Sequence, residues 1–346
     1  MKIQSPTSLP GTGHIAASAG SDGKCSPHRK PLAVALVIVL IAALPLISSQ
    51  PFYLHMAILI AINTVSATGL SLLSRTGQTS LCHGAFIAIG AYASALLSLR
   101  LGMPFPVAAL GAMAASTLVA LALGVVILRL RGIYFVLITF AFGELVRLAL
   151  LEWEDVTGGA NGIVGILPAA FGHITLDSKL SFYLFAATVA LLCIAASHAI
   201  FRSPIGHRID AVGENAPLAE ASGLSVSRTQ YAAFAVASAI GGLSGSMFAH
   251  YIGFVSPETF NFMLSVGMII ILVVGGRGYV LGPFIGALIM TPLPELFRGA
   301  VQMQNIFYGC ALILMLRFMP RGLASLQAKF QRKHAGHSAI PGESAQ

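Results

Sequence analysis

Charge is what this chain has least of: Asp, Glu, Lys and Arg make up 9% of its 346 residues, while hydrophobic types make up 56% and the mean hydropathy is +0.84. Soluble domains carry about 25% charged residues, so a water-soluble globular class is excluded. The net charge of +8 does not point to nucleic acid, because the basic residues stand in short clusters between apolar runs with no aromatic platforms beside them. Cysteine is sparse and scattered: Cys25, Cys82, Cys193 and Cys310 show neither a disulfide framework nor metal-ligand spacing, and they read as small apolar residues. The phosphate-binding pattern GxxxxGK[ST] is absent, since Gly23-Lys24 has Ser18 and Cys25 where Gly and Ser or Thr are required. The chain is therefore expected not to hydrolyse ATP itself. HExxH is absent too, and His55, His83, His198 and His250 lie near the ends of apolar runs, where interfacial or structural roles fit better than metal ligation. Without clustered acids and bases inside those runs, a membrane enzyme is a weak reading, and no metal site is expected.

What is there is a succession of apolar runs. Each spanning helix needs about 20 mainly apolar residues, because lipid satisfies no backbone polar group. Residues 1–30 read as a disordered tail rich in Ser, Gly and Pro, 31–320 as an all-α polytopic transmembrane domain, and 321–346 as a basic tail. Pro31 to Ser74 carries no charge and suffices for two spans, with the break near Pro45 to Pro51. A third run turns apolar only after His83, and a fourth follows the turn Gly102–Pro106. A fifth starts at Gly132, a sixth covers Leu180–Phe201, and a seventh Thr229–Tyr251. An eighth ends at Gly275, a ninth runs to about Leu296, and a tenth covers about Gln304–Phe318. The expectation is ten spans, or eight if the stretch near Pro292 and Pro294 is re-entrant. With both termini in the cytoplasm, all but Arg100, Arg147, Lys179 and Arg298 of the 20 Lys and Arg residues fall on the cytoplasmic side or at its border. That orientation makes 152–179, with its Glu152, Glu154 and Asp155, an external loop, and 202–228 an internal one.

Three groups of polar residues are candidates for function. Gln78, Thr79, Ser80 and His83 offer hydrogen bonds to a passing solute, or equally cap the third span. Glu144 and Arg147, three residues apart, pair on one helix face, either as a relay or as a structural ion pair, the second being favoured. In 202–228, Asn215 is placed to cap a short helix that tolerates Pro217 in its first turn and stops at Gly223. Two turns of helix are marginal in water, so the small face around Ala219, Ala221 and Ser222 is expected to rest on a partner protein.

Five stretches carry a resemblance: GQTSLCHGAFIAIGAY (Gly77 to Tyr92), TGGANGI (Thr157 to Ile163), SPIGHRIDAVGENAPLAEASGL (Ser203 to Leu224), AHYIGFVSPETF (Ala249 to Phe260) and GPFIGALIMTPLPELFR (Gly282 to Arg298). In these the chain resembles the LivM-type permease of bacterial branched-chain amino-acid ABC importers. The resemblance implies a type II ABC importer-like permease in the bacterial inner membrane. Its implied partners are a second, LivH-like permease, two cytoplasmic ABC ATPase subunits and a periplasmic solute-binding protein. No cofactor is expected on this chain, ATP and Mg being bound by the partner ATPases. By the same resemblance Ala219, Glu220, Ala221 and Gly223 form an ATPase-coupling helix, with Arg202, Gly206, Arg208, Glu214 and Asn215 in its approach. Thr157, Gly158, Gly159, Asn161 and Gly162 join Gln78, Thr79, Ser80 and His83 as translocation-pathway candidates. Branched-chain or related hydrophobic amino acids are the expected solute, with urea, short amides or aromatic acids as alternatives and an ion-coupled secondary transporter as the rival mechanism. The chain departs from the family pattern at Cys82, where Gly is usual, at Gly213, where Arg is usual, and in the turn at Arg277.

Overall fold

Residues 51–130, 132–172, 174–296 and 309 are described by a computed structural model; the first expected span, most of the tenth and both tails lie outside them. The chain forms α1 (Pro51–Arg75), α2 (His83–Leu101), α3 (Phe105–Ile127) and α4 (Ile133–Glu152). A connection follows with the short α5 (Glu154–Thr157), a 3-10 turn at Gly159–Asn161, and strands β1 (Ile163–Val164), β2 (Ala170–Phe171) and β3 (Ile174–Thr175). Next come α6 (Lys179–Arg202), α7 (Pro204–Glu214), α8 (Ala216–Ala221) and α9 (Val226–Ile252). After β4 (Phe254–Val255) and a 3-10 turn at Pro257–Phe260 stand α10 (Phe262–Gly275), α11 (Gly282–Met290) and α12 (Leu293–Leu296). Among the described residues α1, α2, α3, α4, α6 and α9 are long and apolar enough to cross a membrane. The chain is thus a polytopic helical membrane protein, with span boundaries within a few residues of those expected from sequence.

The expected eighth span takes a shorter form, and the expected ninth is broken between α11 and α12. α10 has 14 residues and α11 has 9, so at 1.5 Å per residue they reach about 21 and 14 Å, less than the ~30 Å of a hydrocarbon core. They pack on each other and on α1. A Cβ at Gly286 would collide with the Ile271 carbonyl, so only glycine permits that approach.

Helix α9 is the centre of the bundle, touching α1, α2 and α3. Lipid tails are as apolar as leucine, so helices in a bilayer gain little from hiding leucine and associate through close backbone contact and polar pairs. The residues follow that logic. A Cβ on Gly90 of α2 would run into the backbone of Gly242 on α9. Ser94 Oγ lies 2.7 Å from Ser246 Oγ and 3.0 Å from His250 Nε2, and Ser116 Oγ of α3 donates to the Phe86 carbonyl at 2.9 Å. Interhelical bonds of this kind contribute about 0.6 kcal/mol each, so they fix register more than they supply stability. Many large apolar side chains of the outer helices point outward: Leu110, Leu118 and Val126 on α3, Leu137 and Leu145 on α4, and Leu184 and Leu192 on α6 are exposed, as lipid-facing surface should be.

Two links between helices turn back into the bundle. After Arg75 the chain leaves α1 through Gly77, whose φ of +83° suits glycine, and α2 then begins beside the middle of α1: His83 Nε2 is 3.0 Å from the Ser66 carbonyl. Ser66 lies about 13 Å from Arg75 along the helix. On the other face Gly253 (φ +74°) ends α9, β4 pairs antiparallel with β1 through Ile163 and Val255, and the following 3-10 turn carries Phe260 down to Tyr92, with ring centroids 6.3 Å apart. Tyr92 is likewise about 13 Å from the α2 end at Leu101. Both α2 and α10 therefore start at depth, and their first turns meet.

Candidate functional site

The meeting point is built from the two helix beginnings. Gly84 N, one of the amides that a first helical turn leaves without an intrahelical partner, donates to Ser265 Oγ at 3.0 Å. Asn261 caps α10 by accepting from Leu264 N at 3.4 Å. Leading into α2, the Leu81 amide donates to Thr139 Oγ1 of α4 at 3.1 Å, and Ser80 Oγ accepts from the Cys82 amide at 3.2 Å and lies 3.0 Å from Cys82 Sγ. Cys82, where a glycine was expected from the family pattern, is fully buried beside Phe86, Phe135 and Phe234. Gln78, Ser80 and His83 are buried and Thr79 is half-buried. Ser80 and His83 are engaged by the protein itself. Gln78 Oε1 and Ser66 Oγ are buried with no partner among the described residues, and a buried polar atom left so costs about 1–3 kcal/mol. Gln78 thus has acceptor capacity to offer a solute.

The other pathway candidates stand on the opposite face, and no hydrogen bond joins them to Gln78 or His83 among the described residues. Thr157 is buried, but its hydroxyl donates to the Leu150 and Trp153 carbonyls at 2.6 and 2.7 Å, closing the end of α4. Gly158, Gly159 and Gly162 all have positive φ, and a Cβ on Gly162 would strike the Val255 carbonyl, so the TGGANG loop is held tightly against β4. Asn161 is exposed at its tip. Arg147 pairs with Glu144 at 2.8 Å as expected, and also with Glu258 at 2.9 Å, tying α4 to the turn that carries Phe260. A surface recess of about 350 Å³ opens on this face, lined by His55, Asp177, Lys179, Phe182 and Tyr251 among others.

On the Arg75 face, 202–228 folds into two helices. Ser203 Oγ accepts from Gly206 N at 3.4 Å and Pro204 stands at the first position of α7, which sequence reading passed over as loop. Gly206 is buried against the backbone of Ile200 and Phe201. Asn215 Oδ1 accepts from Leu218 N at 3.1 Å, capping α8 as expected, and Gly223 has a φ of +84° past its end. The order of α8 has an internal source at Ala219, which corrects the expectation of a partner for that residue of the small face, whereas Ala221 and Ser222 stay exposed. Ala219 is buried with Val212 and Val226, and Ala216 and Leu224 pack against them. What faces outward is Leu218, 63% exposed, together with Glu220, Ala221 and Ser222. Arg202, Arg208, Glu214 and Asn215 are exposed around this knob.

Sequence reading missed the residues that tie this knob to the bundle. Arg75 Nη1 is 3.5 Å from Asp210 Oδ1 of α7, its Nη2 donates to the Gly278 carbonyl at 2.8 Å, and its guanidinium carbon sits 3.8 Å over the Phe201 ring. The signal was present, since Arg75 is the first charge after Lys30.

Comparison with known proteins agrees with this architecture. Residues 52–318 match the family model described as branched-chain amino acid transport system/permease component. The chain is 32% identical over 326 residues to the high-affinity branched-chain amino acid transport system permease protein LivM of Escherichia coli (strain K12), covering 86% of this chain and 76% of that protein. It is 31% identical, with the same coverage, to LivM of Salmonella typhimurium. It is 28% identical to the autoinducer 2 import system permease protein LsrC of Enterobacter sp. (strain 638), over 72% of this chain and 73% of that one. No solved structure matches it.

Proposed function

The chain belongs to the branched-chain amino acid transport permease family, and from that premise we propose how its two faces divide the work. It is a permease subunit of an ABC importer for branched-chain amino acids, a transport subunit and not an enzyme, working with ATPase and binding-protein partners. In our reading the Arg75 face lies in the cytoplasm of the bacterium, with both termini on that side. One of two ATPase subunits, which carry the ATP and Mg, receives α8, and a second, LivH-like permease completes the pathway. A periplasmic solute-binding protein delivers the amino acid to the Arg100 face, where the TGGANG loop lies.

The single observation that carries this reading is the construction of α8: a six-residue helix capped by Asn215 and rooted through Ala219, yet presenting Leu218 and Glu220 to solvent. A firmly held knob that presents a leucine beside a carboxylate suits a docking element, because covering the exposed apolar side chain with a partner removes it from water. ATP-driven closure of the ATPases would displace the knob. The displacement drives transport only because the loaded binding protein and ATP interact differently with the two states. Along the path, Gln78, ahead of the buried start of α2, offers an acceptor to the solute while Ser80 and His83 hold that start in place, and the solute would pass between broken helices.

The test is a double substitution, Glu220→Lys with Gly223→Pro, which reverses a charge on the knob and forbids the left-handed turn that ends it. Solute-stimulated ATP hydrolysis by the reconstituted importer should be lost while membrane insertion is retained. Undiminished transport would refute the docking role of α8.

A further inference from the structure

Arg75 touches three separate elements near the knob's base. Its side chain is 17% exposed and holds the end of α6 through Phe201, α7 through Asp210, and the turn between α10 and α11 through Gly278. Its backbone is engaged as well. The Arg75 carbonyl lies so close to Gly213 of α7 that a Cβ there would collide with it. The Gly213 carbonyl in turn lies 3.4 Å from where a Cβ on Gly77 would stand. No side chain fits at position 213 in this arrangement.

These contacts differ in stiffness. The ion pair to Asp210, whose side chain is 42% exposed, spans 3.5 Å and is open to water and salt. The Gly278 carbonyl and the Phe201 ring hold the guanidinium against the membrane body. The contact of Gly213 with Arg75 and Gly77 is backbone on backbone and cannot compress. Immediately beyond Gly77 come Gln78 and Ser80, on the way to the buried start of α2. A movement of α7 therefore pushes directly on the head of the pathway segment, and Arg75 sets where that push is applied.

We propose that Arg75 is a positioning residue that transmits displacement of α7 and α8 into the Thr76–Cys82 segment, so coupling the partner's ATP cycle to the opening of the pathway. This rests on the docking role of α8 given above. The experiment uses the full importer in vesicles and reads solute moved per ATP hydrolysed. Arg75→Gln should lower that ratio about tenfold, an ordinary size for coupling between sites, while the amount of complex and the ATPase bound to it stay as in the parent. Arg75→Lys, which keeps the charge but not the planar fork, should recover part of the ratio. An unchanged ratio in Arg75→Gln overturns the assignment. Should that variant not accumulate, Asp210→Asn and Phe201→Leu decide in the same assay, and unchanged ratios in both overturn it. A parent complex that binds no ATPase would instead sink the docking reading, so the two failures are distinguishable.

Discussion

The Gly84 amide donates to Ser265 Oγ over 3.0 Å, joining the first turns of two helices that both begin within the apolar layer. Neither turn could be left bare there, since no water is at hand for the amides that a helix start leaves free. Ser265→Ala removes the acceptor and leaves the buried Gly84 amide without a replacement. The expected cost is about 1–3 kcal/mol, read as a lower midpoint for thermal unfolding of the purified protein in detergent. An unchanged midpoint would mean that the two turns are held together by other means.

Glycine positions separate by what stands in front of them. At Gly90 an added methyl meets the Gly242 backbone, whereas at Gly111 it meets only the tip of the Leu97 side chain. Backbone on both sides cannot yield, and overpacking a tight site costs about 1–3 kcal/mol. Gly90→Ala should therefore reduce the folded yield and stability of the protein, and Gly111→Ala should leave both near the parent. Fluorescence-detected size exclusion of the two variants side by side checks this, and equal behaviour would argue against close contact between α2 and α9.

Much of this arrangement was legible beforehand, for stated reasons. Span boundaries follow from where apolar runs meet Gly, Pro and charge, so the starts near His83 and Ile133 and the stop at Gly275 came out within a residue or so. The cap at Asn215 was legible because its chemistry is local. Depth was not legible, because hydropathy gives the length of a run and not where in the bundle it begins. Hence nothing in the stretch between the seventh and eighth runs signals that it carries Phe260 down to Tyr92. Helix α7 was missed since its apolar positions, Ile209 and Val212, are few, although with Gly206 they recur every third residue and all three are buried. The partners of Arg75 come from three separate parts of the chain, a relationship that one sequence does not encode locally.

Asn215 closes two helices at once, ending α7 and capping α8. A six-residue helix has little cooperativity of its own, so losing a cap worth about 1 kcal/mol should fray it substantially. Asn215→Ala is expected to weaken solute-stimulated ATP hydrolysis several-fold with little effect on the melting of the membrane domain. Asn215→Asp, which keeps an acceptor oxygen, should stay near the parent. Equal loss in both variants would point to a contact made by the amide nitrogen instead of the cap.

The orientation of the chain has a direct chemical test, because the two faces present exposed residues of known address. Asn161 sits at the tip of the TGGANG loop and Leu218 on the outward side of α8, and both are open to solvent. Of the native thiols described, Cys82 is buried and Cys193 partly so, yet all four cysteines are best replaced first so that any signal belongs to the introduced residue. A charged maleimide crosses the outer membrane but not the inner one. Asn161→Cys should therefore be labelled in intact cells, and Leu218→Cys only after the inner membrane is permeabilised. The excess of Lys and Arg on the Arg75 side supports this outcome, since positive charge near span ends is retained in the cytoplasm during insertion. The opposite labelling pattern would put α8 outside the cell, away from any ATPase, and would remove the basis for its docking role and for the part assigned to Arg75.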